Sequence, residues 1–464
     1  MSSGNSRQNS YLSAPIGTLF VKTALPIIFV MSMSGLLNVV DAIFLGIFVG
    51  PDAVSAVTVI FPFTMLLIAA STLVTSGMAS LLARRLGAGD VAGAEEIFAA
   101  AHGLALTVAT ATMAGFGIAG HWVVMQAAAG DTTIAEMAYA YLAISIVASP
   151  LMFALSLHAD ALRNEGRAPM IAGLSLLVSL ANIAFNYLAI VIWDLGVAGS
   201  AYGTAAAQFV ALGMVFAFRL RGRTPLPLAA LRKHRWLGAW RRMIALGAPQ
   251  SLSFLGVALV SGTIILALQF SGAPAYAETT AAYGIVTRVF GLAFLPLLGM
   301  GQAMQAIVGN NLGAKAHDRA VAALRHSVLV AAIYCAISQL IMMLGAGTVG
   351  AAFVSDGAVV AEVARILPQM TLLYVFTGPI LMLALYFQSL GDASRAAIFS
   401  LTRPFVLAPV AILGLVAILG EPGIWIAPPV ADAVMLSVVL VSLWRGSASA
   451  RRAPRLLPPE REIA

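Results

Sequence analysis

Of 464 residues, 60% are hydrophobic and only 10% are charged, and the mean hydropathy is +0.94. Soluble globular chains carry roughly 25% charged residues, so this chain lacks the charge to coat two or three soluble domains, and most of its surface must face lipid. The net charge of +7 does not point to nucleic acid, because the basic residues fill short connections between apolar runs, where Lys and Arg set membrane topology.

In chain order, residues 1–17 read as a polar tail without the charged start, short apolar core and small-residue site of a cleaved signal. A spanning helix needs roughly 20 mostly apolar residues. Spans are expected near 18–47, 54–82, 97–122, 134–160, 169–193 and 198–219, forming an N-terminal lobe over 18–219. A basic linker over 220–241 follows, rich in Arg, Trp and Leu, and fit to cross the membrane surface against anionic headgroups. Further spans are expected near 242–271, 279–309, 322–349, 364–390, 396–418 and 423–444, forming a C-terminal lobe over 242–444, with a basic tail over 445–464. The fold class is therefore an all-α polytopic membrane protein with twelve transmembrane helices in two six-helix lobes. The single Cys335 excludes a disulfide framework or a cysteine metal site.

Positive charge falls on one set of connections, with Arg84, Arg85, Arg163, Arg167, Lys315, Arg319, Arg325 and Arg395 beside the linker and the tail. The other set holds Asp52, Asp131, Glu136, Asp194, Glu278, Asp356, Glu362 and Glu421, with Arg365 as its one basic residue. The positive-inside bias places both termini and the linker in the cytoplasm of a multi-pass cell (inner) membrane protein.

The halves repeat at a nearly constant offset of about 225 residues: Pro26 answers Pro249, Leu86 answers Leu312, Gly166 answers Gly391 and Gly199 answers Gly423. An even number of spans per half makes this a parallel repeat about an axis along the membrane normal, a symmetry that places substrate sites near the interface of the halves.

Ionisable groups at membrane depth are costly and mark function by default. Asp41, in the first span with no basic neighbour in sequence, can exchange a proton or bind Na⁺, and Asn38 lies one turn earlier on the same face. Pro26, about 22 Å from Asp41 along the helix, removes one backbone hydrogen bond and offers a hinge. Asn182 and Asn186 are spaced i, i+4 in the fifth span, as are Thr204 and Gln208 in the sixth. These amides and hydroxyls can bind an ion or polar ligand but carry no proton. In the second half Arg288, Gln302, Gln305, Arg403 and Asp432 are polar groups in or near spans, Arg288 and Gln302 being assigned to the substrate cavity. His158 and Asp160 are expected at the interface at the end of the fourth span. No P-loop, H-E-x-x-H or clustered metal set occurs, so transport without a cofactor, driven by an ion gradient, is expected rather than an enzyme.

Together these residues resemble the multidrug and toxic compound extrusion (MATE) family, nearer its DinF-like branch. The motifs that carry the likeness are L-P-I-I-F and N-V-V-D-A-I-F-L-G in the first span, L-A-R-R-L-G-A-G-D after the second, N-I-A-F-N in the fifth, G-V-A-G-S-A-Y-G-T in the sixth and A-A-Y-G-I-V-T-R-V in the eighth. V-G-N-N-L-G-A, Q-S-L-G-D-A and G-I-W-I-A-P-P-V-A-D complete the series. The resemblance implies a twelve-helix exporter, read here as a monomer, that exchanges H⁺ or Na⁺ for small organic, often cationic compounds by alternating access. It carries the coupling acid onto Asp41 and the fifth-span amide onto Asn182, while Asn186 stands where some members have Asp, and Val257 where another branch has Glu. The alternative function is a flippase for lipid-linked or polysaccharide precursors, whose phosphates would need several cations; Arg288 and Arg403 are the only candidates.

Overall fold

A computed structural model describes residues 10–128, 131–222, 224–271 and 275–450. Of the segments singled out above, residues 1–9 of the first tail, Arg223 of the linker and the last tail from 451 onward lie outside the described residues, as does the side chain of Asn38. The described residues hold helices and no strands. The spans are α1 (Ile16–Phe48), α2 (Phe61–Gly87), α3 (Val91–Ala127), α4 (Thr132–Val147 continued by Ser149–Asn164), α5 (Ala168–Tyr187 continued to Ile192), α6 (Gly196–Leu220), α7 (Trp240–Ser271), α8 (Tyr276–Gly313), α9 (His317–Leu344), α10 (Gly357–Met370 continued to Leu390), α11 (Ala393–Thr402 continued to Leu419) and α12 (Glu421–Ala450). Ten candidate spans are single runs, and the bent pairs of α4 and α10, angled at 49° and 54°, bring the number to twelve.

Helix starts explain several loop acids. Asp90 accepts a hydrogen bond from the Gly93 N–H at 2.8 Å, Asp131 from Ile134 at 3.0 Å, Asp356 from Ala358 at 2.8 Å and Asp392 from Arg395 at 2.9 Å. Each carboxylate satisfies an N–H that the first turn leaves unpaired. The amide bond from Gly93 is the main reason the Asp90 carboxyl titrates below the usual range.

The chain divides into two compact units. The first comprises the described residues up to Phe254 together with Gly309–Ala320; the second comprises Leu255–Val308 and the described residues from Val321 onward. In the first unit an apolar core of Met78, Leu82, Phe98, Leu104, Phe153 and Leu157 joins α2, α3 and α4. The first turns of α7 and the last of α8 pack on α2 through backbone contact: a Cβ on Gly247 would lie 1.8 Å from the Leu73 carbonyl oxygen, and one on Gly87 would lie 1.9 Å from that of Asn310. Only glycine permits approach this close, as in other small-residue helix contacts within membranes.

The linker also belongs to the first unit. Leu226 and Ala230 are buried, and Trp240 donates to the Ala100 carbonyl at 2.9 Å while Lys233 and His234 reach Glu95 at 3.1 and 2.9 Å. Trp240, Lys233 and His234 thus tie the linker to α3, while Arg221, Arg232 and Arg235 stay exposed. Ahead of α1, Tyr11 is 1% exposed and its hydroxyl donates to the Arg163 carbonyl at 2.6 Å. Its own carbonyl accepts from Asn311 and Arg319, and Arg319 reaches Ala14 at 2.7 Å.

His158, expected with Asp160 at the interface, is buried within the protein, and Asp160 is partly buried. Asp160 pairs with Arg163 at 2.8 Å, and His158 is 0% exposed. Arg219 Nε donates to His158 Nδ1 at 2.9 Å, which leaves the His158 proton on Nε2, facing His102 Nε2 at 3.4 Å. His102 then holds its proton on Nδ1 and gives it to the Phe98 carbonyl at 2.8 Å. Arg219 also bridges Glu165 at 2.9 Å and the linker carbonyl of Leu226 at 2.6 Å. Arg219 Nη2 and Glu165 Oε2 find no hydrogen-bond partner among the described residues, and the Arg219 guanidinium lies over the Phe98 ring, 5.1 Å from its centroid.

In the second unit Gln305 donates to Gln388 at 2.7 Å, and Arg403 forms a two-pronged pair with Asp432. Arg365, the one basic residue among the acidic connections, pairs with both Glu362 and Glu421 at 2.7 Å.

Candidate functional site

The site is built where α1, α5 and α6 meet. Asp41 stands on α1, an unbroken helix with Pro26 inside it. The i, i+4 spacing on α5 puts Asn182 and Asn186 on one face, and both amides are buried. Asn186 Nδ2 donates to Asp41 Oδ1 at 2.6 Å and lies 3.4 Å from Asn182 Oδ1. Asn182 Nδ2 in turn donates to Thr204 Oγ1 on α6 at 3.0 Å. The result is a chain from the carboxylate through two amides to a hydroxyl.

Gly203 makes the chain possible. A Cβ there would lie 2.0 Å from Asn186 Oδ1, so any larger residue would displace the amide. Asn186 Oδ1 is itself buried without a hydrogen-bond partner among the described residues, an acceptor aimed at no donor. No basic side chain pairs with Asp41 among the described residues, and it is half-buried. Tyr141 on α4 lies within electrostatic range of Asp41 and close to Ser200.

Chemically, a lone carboxylate beside neutral oxygens can take up one proton or one monovalent cation. Asn186 Oδ1, Asn182 Oδ1 and Thr204 Oγ1 are hard oxygen donors of the kind that suit such an ion. Among the described residues no group of three His, Cys, Asp or Glu side chains is gathered to hold a transition metal.

The structure thus brings together Asp41, Asn182, Asn186 and Thr204. Gln208 lies one turn further along α6, half-buried. Gln302 and Arg288 belong to the second unit, Gln302 half-buried and Arg288 exposed on α8. Reading the sequence missed Tyr141, Ser200 and Gly203. The last two stand inside G-V-A-G-S-A-Y-G-T, where Gly203 precedes Thr204; Tyr141 gave no local signal, because its place depends on α4 folding against α6.

The MatE family description matches the chain twice, over residues 26–188 and 253–413, once in each half of the repeat. A protein named FAD transporter from Shewanella oneidensis is 23% identical over 437 residues, covering 92% of this chain and 94% of its own. The probable multidrug resistance protein YoeA of Bacillus subtilis is 23% identical, covering 85% of this chain and 86% of its own. Among solved structures, an outward-facing multidrug resistance MATE transporter of the MOP superfamily superposes with a TM-score of 0.87 at 22% identity, over 96% of this chain and 99% of that one.

Proposed function

This chain belongs to the MatE family, and from that premise we propose that it is a secondary active antiporter, exporting organic compounds, cations among them, in exchange for H⁺ or Na⁺ by alternating access. As a family member it is a multidrug and toxin efflux transporter, not an enzyme, and needs no cofactor. In this reading it works as a monomer in the inner membrane with both termini in the cytoplasm, as the run of positive charge suggests.

The observation that carries the proposal is a carboxyl at membrane depth with one amide donor at 2.6 Å and no cationic partner among the described residues. An ionised Asp41 attracts an organic cation. A proton on it, or Na⁺ held with Asn186 Oδ1, removes that attraction and lets the cation leave. Exchange follows because the acid cannot serve both at once. The bent and straight forms of α1 that Pro26 permits would carry the change between states.

The test is ethidium efflux from cells expressing wild type or Asp41→Asn at equal protein level. Loss of efflux is expected, and wild-type rates would sink the coupling role. Purified protein in liposomes with an imposed pH or Na⁺ gradient then identifies the ion.

A further inference from the structure

The second unit holds arginines where the first holds an acid. Arg403 opens a π turn, Arg403–Leu407, in the middle of α11, about 15 Å from the helix start at Ala393. Its partner Asp432 sits on α12 about 17 Å from Glu421, so both lie well inside their spans. The pair is lopsided: the Asp432 side chain is 8% exposed, that of Arg403 36%.

That exposure decides what Arg403 faces. A guanidinium open to hydrocarbon at this depth is costly, and arginines in spans turn to the protein interior or to water. Snorkelling to the membrane surface is closed to it, because Nε and Nη2 are both held by the Asp432 carboxylate. The open edge of Arg403 therefore adjoins water within the bundle. Nη1 makes no hydrogen bond among the described residues, leaving two N–H groups in a fixed direction.

We infer that the second unit carries an anion subsite at Arg403 that recognises a carboxylate or phosphate group on the transported compound. The inference rests on the exporter reading above and adds a substrate class to it: compounds with an anionic group, alone or beside a cation. Asp432 neutralises Arg403 overall, so the subsite draws anions weakly from a distance and selects by hydrogen-bond geometry on contact, as arginine does with carboxylates.

Rhodamine 123 and rhodamine 110 make a matched test, since the first is the methyl ester of the second and only the second carries a free carboxylate. Uptake of both would be measured in liposomes holding the full chain, and the ratio of rhodamine 110 to rhodamine 123 compared between variants. Arg403→Gln alone leaves a buried carboxylate unpaired and can misfold, so the main variant is Arg403→Gln with Asp432→Asn, which replaces the ion pair by two amides. Its thermal melting in detergent confirms folding. The ratio should fall roughly tenfold in the double variant and rise in Asp432→Asn, where Arg403 is released; an unchanged ratio in both overturns the inference alone. If the wild type carries neither dye, the exporter reading falls and this inference with it. Exchanging phosphatidylcholine for phosphatidylglycerol separates a dissolved compound from a lipid headgroup as owner of the anion. The ratio should hold in both lipids, whereas collapse to the double-variant value in the anionic lipid would mean that a headgroup occupies Arg403, against the inference.

Discussion

Helices α5 and α11 occupy matching places in the two halves, starting at Ala168 and Ala393, and each contains a π turn, at Leu188–Ile192 and Arg403–Leu407. Counted from those starts, Arg403 stands where α5 has Val178; counted from Gly199 and Gly423, Asp432 stands where α6 has Gln208. The first half uses these helices to present two amides to an acid on α1, and the second to hold an ion pair of its own. A repeated scaffold therefore does not repeat its chemistry. Helices pack in the membrane through small residues and apolar contact along their whole length, while a single side chain suffices to place or remove a charge.

The contrast between an acid without a counter-ion and an acid with one can be broken by experiment. The largest effect is expected from Asp41→Asn, which should cut gradient-driven ethidium efflux more than about tenfold while the protein melts within roughly 1 kcal/mol of wild type, because no ion pair is lost. Asp432→Asn should do the reverse to stability: it strands Arg403 and should cost about 2 kcal/mol, seen as a lower melting temperature in detergent. Equal melting of the two variants would erase the distinction.

Gly203→Ala sharpens the first side of the comparison. Its Cβ must push Asn186 away from its present position, and an overpacking cost of about 1 kcal/mol should accompany a several-fold loss of efflux. Wild-type efflux would show that Asn186 can move without consequence. The smallest effect is expected from Tyr11→Phe, which removes the hydroxyl bond to Arg163 and should lower stability of the first unit by about 1 kcal/mol, measured by hydrogen exchange of residues 10–14. Unchanged exchange would make that bond dispensable.

Much of this was legible in the sequence. Low charge and long apolar runs required a membrane protein, because backbone and surface must both be compatible with lipid. The ordered motifs identified the family, and Asp41 stood out as a carboxyl that nothing nearby in sequence could neutralise. Helical spacing already put Asn182 and Asn186 on one face.

What the sequence could not supply was every fact that depends on which helix faces which. The burial of His158 was unreadable, because the burial of a residue near a helix end depends on what neighbouring segments bring to it, and here Arg219, itself held by the Leu226 carbonyl, meets His158. The donation from Asn186 to Asp41 joins residues 145 positions apart, and the close approach of α6 that Gly203 allows has no local signature. Composition and periodicity fix which segments enter the membrane, since transfer from water to lipid is a property of each segment alone. Partnership among polar groups is a property of pairs, and only the packed helices decide it.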